Sequence, residues 1–180
     1  SIAINNDLYL RNDFRDSIQT RIIESELLKD KTYRYSDLPY YILKLIIEKH
    51  YNQPLDALVQ QRFYKTIGAN FSSYKPLDKV SIDQLVPTEM DEYFRYRKVQ
   101  GYVHDMGAAM QGGVGGHSVL ISNANDVAKL MQLYLQKGVY GGKRFFRSTT
   151  FDAFNSCYYC DQDNRRGIGF DKPQLSEEGP

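Results

Sequence analysis

Several groups of residues in this chain have types and spacings that could do chemistry. Ser72-Ser73-Tyr74-Lys75 sets a serine three residues before a lysine. On a helix both would share one face, and the amine could draw the hydroxyl proton. Pro76 follows at once and disfavours helical backbone at Lys75, so this pair is not expected to form a nucleophile and base. His104, Asp105 and His117 are metal-ligand types, but their spacing does not put two ligands on adjacent helix turns, and a zinc site needs three or four converging donors. Their expected role is structural hydrogen bonding by an imidazole, with no metal bound. Gly112-Gly113-Val114-Gly115-Gly116 lacks the Gly-Lys-Ser/Thr ending of a phosphate loop and the dinucleotide fingerprint, so its glycines serve tight turning and close backbone approach. Cys157 and Cys160 form one isolated CxxC, with no second pair and no βαβ pattern around it. That pattern fits a local disulfide or two thiols, not a redox site or half a zinc ribbon. Tyr35 and Asp37 flank Ser36 where a helix begins. On residue type alone, Asp37 caps that helix and Tyr35 packs beside it.

The elements that must position these groups are mostly helical. A first helix is expected from about Asp13 to Lys29, where Ile18, Ile22, Ser25 and Leu28 keep helical spacing. A second runs from Ser36 or Asp37 to about His50, with Pro39 in its first turn. Its stripe of Leu38, Ile42, Leu45 and Ile46, widened by Tyr41, Leu43 and Ile47, predicts a well-buried helix. A third spans Pro54 to Ile67 on Leu55, Leu58, Val59 and Phe63, with Gly68 just past its end. From Ala69 to Gln100, Pro76 and Pro87 break the pattern and predict a long surface excursion with little regular structure. Gly101 to Gly116 is glycine-rich and aperiodic. Ser118 to Ser122 reads as a short strand. Asn123 or Asn125 then caps a strong helix whose buried face is Val127, Leu130, Met131, Tyr134 and Leu135, ended by Gly138. A turn at Tyr140-Gly141-Gly142-Lys143 follows, and Gly167 to Asp171 reads as the start of a strand. The final residues are polar and expected to be loose.

Composition narrows the function classes. Basic and acidic residues nearly balance, 23 against 22, for a net charge of +1. That balance gives no electrostatic basis for binding nucleic acid or an anionic membrane. No apolar run approaches the ~18 residues needed to span a bilayer. With 180 residues, 42% apolar and 25% charged, the chain is long enough for one domain with a real core. Fifteen tyrosines without a tryptophan suit either a core or a polar groove, so this bias selects no function.

Two stretches carry a resemblance. One is Tyr33-Arg34-Tyr35-Ser36-Asp37-Leu38, opening the second helix. The other is GYVHDMGAAMQGGVGGHSVLISNANDVAKLMQLYLQKGVYGGKR, from Gly101 to Arg144. Together they resemble the serine β-lactamase and penicillin-binding-protein hydrolases of class C β-lactamase type. The nearest likeness is to a subgroup found fused behind family 3 glycoside hydrolases. The likeness extends through Asn70 to Glu89 and through Arg165 to Pro173.

The resemblance implies an α+β fold of β-lactamase/transpeptidase type, of which residues 1–180 form one partial domain holding mainly the helical part and few short strands. It implies a serine nucleophile, a covalent acyl-enzyme, no cofactor and no metal. That family uses a Ser-x-x-Lys, a Tyr-x-Asn and a Lys/His-Thr/Ser-Gly strand. Tyr35 matches the tyrosine and is the expected general base or proton shuttle, since a neighbouring cation favours the phenolate. Asp37 stands where the family has asparagine, and a carboxylate accepts hydrogen bonds but cannot donate them as an amide does. Contact with a substrate carbonyl, and β-lactam turnover with it, is therefore not implied. His104, Gly115, Gly116 and His117 are expected along the cleft wall, on the substrate side. The serine motif and the closing strand are expected upstream and downstream of these residues, so the isolated chain is expected to be inactive and prone to self-association.

The implied activity of the whole protein is hydrolysis of an amide or ester, cell-wall derived, in the periplasm or another extracytoplasmic space, with a glycoside hydrolase as a fused partner. The alternative is a catalytically degenerate module kept for binding or scaffolding. An unrelated all-α interaction domain is the third reading, and it would fold stably by itself.

Overall fold

The computed structural model describes residues 1–30, 32–162 and 164–173. The polar tail after Pro173 lies outside the described residues. Helices and small antiparallel sheets are mixed, an α+β composition. The chain packs as two compact units, Ser1–Asp126 and Val127–Pro180.

The first unit opens on a hairpin, β1 (Ile2–Asn5) against β2 (Leu8–Leu10), turned at Asp7 in left-handed backbone. Helix α1 (Asn12–Ile23) buries no residue. It stops short of the expected Lys29, so Ser25 and Leu28 lie outside it. Helix α2 (Leu38–Tyr51) has Pro39 in its first turn and ends on Asn52 in left-handed backbone. Its predicted burial is corrected: Leu38, Leu43 and Ile46 are each more than 40% exposed, and Lys44 is its buried residue. Apolar spacing marks a face able to be covered, without supplying the cover. Helix α3 (Leu55–Val59) runs into a π-helical turn at Gln60–Tyr64, and Leu55, Leu58, Tyr64 and Ile67 enter the interior. Gly68 follows with positive φ, as its place after a helix requires.

The expected excursion from Ala69 to Gln100 is also corrected. It contains a hairpin, β3 (Pro87–Asp91) paired with β4 (Arg97–Gln100). The buried positions around this hairpin include Asp91 and Arg95, so no apolar alternation marks the strands. Pro87 occupies the first residue of its strand, where a missing N–H is tolerated. Within the aperiodic Gly101–Gly116 stretch lies helix α4 (Met106–Met110), too short to show a period. The expected strand at Ser118–Ser122 reduces to a single bridge between Ser73 and Ile121. Around α4, the core gathers Ile4, Val103, Ala108, Ala109 and Val119, with Ile2, Leu8, Leu10, Tyr74 and Phe94 packed against them.

Helix α5 (Ala124–Leu135) starts as predicted: Asn123 Oδ1 accepts from the Asp126 N–H at 2.9 Å. Its inward face is rotated from the expected one. Leu133 is buried while Val127, Met131 and Leu135 are exposed. Asp126, at the start of the helix, is buried as well, and its carboxylate accepts from the backbone N–H groups of Phe71 and Ser72.

In the second unit, Gly138 ends α5 with positive φ. Gly141 and Gly142 make the predicted turn between β5 (Val139–Tyr140) and β6 (Lys143–Arg144). Helix α6 (Ser148–Asn155) follows, and the Tyr134 ring packs in tilted contact with those of Phe146, Phe151 and Phe170. Cys157 and Cys160 are joined by a disulfide. Gly167 to Asp171 is not a strand; its backbone turns so that the Gly167 N–H donates to the Phe170 carbonyl.

Candidate functional site

The Ser72–Lys75 pair is not assembled. Ser72 is fully buried, its hydroxyl is shared with Ser122 at 2.8 Å, and its N–H is spent on Asp126. Lys75 Nζ is paired with Asp56 at 3.0 Å. The backbone at Lys75 is not helical, as Pro76 demands.

At the entrance to α2 the Tyr35 hydroxyl donates to Asp37 Oδ1 at 3.1 Å. Asp37 stands at the N-cap position of α2 but makes no side-chain cap; Ser36 Oγ accepts from the Leu38 N–H at 3.2 Å instead. The Asp37 carboxylate is thus left facing other groups. Asp105 caps α4, accepting from the Ala108 N–H at 2.6 Å, and it also faces His117 Nε2 at 3.4 Å. Asp37, Asp105 and His117 converge, their donor atoms all within 4.8 Å of one another. Three separate segments supply them: the start of α2, the start of α4 and the glycine-rich loop.

The walls of this cluster are aromatic. The Tyr41 ring meets His117 edge-on at 4.7 Å, and Tyr40 lies at 6.3 Å. Expected only to widen an apolar stripe, Tyr41 instead brings its phenol to the carboxyl groups. Burial first, then the charges of Asp105 and Asp37, push that phenol up to about 12. A Cβ on Gly107 would overlap the Tyr41 hydroxyl, so only glycine leaves room for it. The predicted close approach of the glycine loop is present as well. A Cβ on Gly115 would lie 3.3 Å from the His117 ring, and one on Gly116 would lie 3.2 Å from Tyr40. Gly112 and Gly113, both with positive φ, turn the chain out of α4.

His117 is 8% exposed and joins this cluster, whereas His104 is exposed and contributes through its backbone. The His104 carbonyl accepts from Arg95 Nη2 at 2.7 Å, and the Val103 carbonyl accepts from Nη1 at 2.9 Å. Arg95 itself is buried beside Asp91 at 3.4 Å. The β3–β4 hairpin therefore fixes the segment that delivers Asp105, a connection that no spacing in the sequence announces.

The geometry sets a phenol hydrogen-bonded to a carboxylate beside a buried imidazole with a second carboxyl group. Among the described residues no helix is long and apolar enough to cross a membrane. No protein-family model matches the chain. Relatives are found among curated sequences. The chain is 33% identical over 148 residues to an Escherichia coli (strain K12) protein named "Putative D-alanyl-D-alanine carboxypeptidase", covering 76% of this chain and 34% of that protein. It is 36% identical over 134 residues to the "N-acetylmuramyl-L-alanine amidase" of Bacillus subtilis (strain 168), covering 68% of this chain and 30% of the amidase. A Salmonella agona protein with the carboxypeptidase name is 36% identical over 132 residues, covering 67% and 31% respectively. The chain is thus homologous to proteins bearing the names of amide-bond hydrolases, and it spans about a third of the length of these relatives.

Proposed function

We propose that the whole protein is a serine hydrolase of the β-lactamase/penicillin-binding-protein type, cleaving an amide or ester of a peptidoglycan-derived substrate through an acyl-enzyme. The observation that carries this reading is the homology to a carboxypeptidase-named and an amidase-named protein at 33–36% identity. In this reading Tyr35 is the general base or proton shuttle and Asp37 is its partner. His104, Gly115, Gly116 and His117 line the substrate side. The hydrogen bond from Tyr35 to Asp37 supports the pairing of these two residues in that assignment. Cell-wall chemistry implies an extracytoplasmic site of action, periplasmic in a two-membrane cell. The Cys157–Cys160 disulfide suits that setting.

A degenerate binding module is the second reading. It is favoured by Asp37 standing in place of asparagine and by the direction of its bond with Tyr35. A phenol that donates to a carboxylate is protonated, and a protonated phenol is not yet a base.

Fluorescent fluorophosphonate and fluorescent penicillin separate these readings. They are applied to this chain and to a form extended to the length of its relatives. Fluorophosphonate labelling of the extended form alone, lost on Tyr35→Phe, is the expected result for the hydrolase. Penicillin labelling there would extend it to β-lactam recognition despite Asp37. Absence of labelling in a folded extended form would favour the binding module.

A further inference from the structure

We propose that Asp37, Asp105 and His117 form a binding site for a divalent transition metal of the Zn²⁺ class, beside Tyr35. The inference is independent of a serine nucleophile and goes beyond the hydrolase reading. Three side chains from three segments bring their donor atoms within 4.8 Å of one another. Carboxyl groups with one imidazole are a donor set for Zn²⁺ or a similar borderline ion, and nitrogen ligation disfavours Ca²⁺ and Mg²⁺, which prefer all-oxygen shells.

His117 supplies the independent observation. It is 8% exposed, and among the described residues neither ring nitrogen has a hydrogen-bond partner. A buried polar atom left without a partner is costly, so an imidazole held this way needs an account. Nε2 stands 3.4 Å from Asp105 Oδ1 without forming a hydrogen bond to it. Two donors each about 2.1 Å from a tetrahedral zinc lie roughly 3.4 Å apart, so this pair already has the spacing of two ligands. Asp37, within 4.8 Å of both, needs only a small rotation to close, open to a half-buried side chain at a helix entrance that makes no cap bond.

Carboxylates only accept hydrogen bonds. Among the described residues, the donors that meet them, the Tyr35 hydroxyl on Asp37 and the Ala108 N–H on Asp105, leave both nitrogens of His117 unmatched. Arg95, the cation whose charge is coupled to Asp105, is engaged by Asp91 and by the carbonyls of Val103 and His104. The rings of Tyr41 and Tyr40 hold the imidazole in place, as the outer groups around a metal-bound histidine do.

The test is equilibrium dialysis of the tag-free full chain against Zn²⁺, with bound metal counted by mass spectrometry and affinity read by calorimetry. One equivalent is expected. Asp105→Asn is the chief variant, because asparagine retains the cap of α4 while losing the anionic ligand. Affinity should fall at least about 10-fold in Asp105→Asn and in Asp37→Asn, and more in His117→Ala, while His104→Ala should bind as the parent chain does. Circular dichroism of each variant checks the fold, and Asp37→Asn, at the helix entrance, keeps the test open if His117→Ala unfolds. Co²⁺ in place of Zn²⁺ should give visible absorption of a low-coordinate site that Asp105→Asn removes. No stoichiometric binding by the folded chain overturns the proposal. So does affinity unchanged from the parent chain in folded Asp37→Asn or Asp105→Asn, or loss confined to His104→Ala.

Discussion

Arg95 is buried without an exposed side-chain atom, stands 3.4 Å from Asp91, and reaches across to the carbonyl of His104 at 2.7 Å. One side chain thereby joins the β3–β4 hairpin to the residue before Asp105. Removing one partner of a buried pair leaves the other charge uncompensated, at a cost of about 3–5 kcal/mol. Arg95→Ala should therefore lower the urea midpoint sharply or unfold the chain. Arg11→Ala, which breaks an exposed pair with Asp13, should leave it unchanged.

Acid should destabilise the fold through Asp91 and Asp56. Burial would raise the Asp91 carboxyl, but the N–H groups of Phe94, Tyr93 and Arg95 and the Arg95 charge outweigh it and hold it below its usual value. At Asp56 burial is likewise overcome by the hydrogen bond and charge of Lys75. Both folded values lie below the unfolded one of about 3.9, so their stabilisation is present above that pH and lost as pH falls through the folded values. Urea midpoints measured from pH 5 to 2 should fall less steeply in Asp56→Asn than in the parent.

At the alkaline end the sign reverses. Tyr41 is raised to about 12 by burial first and then by Asp105 and Asp37. Its contribution is present below the unfolded value of about 10 and is lost as pH rises through the folded value. Stability measured between pH 10 and 12 should decline more gently in Tyr41→Phe, and ultraviolet titration should show one tyrosine ionising last.

Gly107 and Tyr41 form a size pair. Gly107→Ala should cost about 1–3 kcal/mol because its Cβ would overlap the Tyr41 hydroxyl. Gly107→Ala combined with Tyr41→Phe should recover part of that cost, and a double-mutant cycle by chemical denaturation would read the coupling.

The isolated chain should self-associate at high concentration. Ile23, Leu27 and Leu28 are 72%, 93% and 59% exposed, and Ile46 is 57% exposed. Exposed apolar surface of this kind favours association. Light scattering should show mass rising with concentration, and Leu27→Glu with Ile46→Glu should reduce it.

Local chemistry decided much in the sequence by itself. Pro39 and the residues around Ser36 marked the start of α2, Asn123 the start of α5, and Gly138, Gly141 and Gly142 the turns after it, because caps and positive φ depend on one or two residues. Pro76 likewise ruled out a helical Ser72–Lys75 pair. The balanced charge gave no electrostatic basis for a nucleic-acid surface, and the Tyr35-Ser36-Asp37 triplet lies at the entrance of α2. What the tertiary structure decided is which side chains share a place. Asp105 meets His117 and Asp37 because a buried Asp91–Arg95 pair ties a hairpin to the α4 entrance. Asp126 is buried at the start of α5 because it accepts from two distant N–H groups. Such buried polar contacts join residues far apart in the chain, and their polar members interrupt the apolar periods by which strands and buried faces are read.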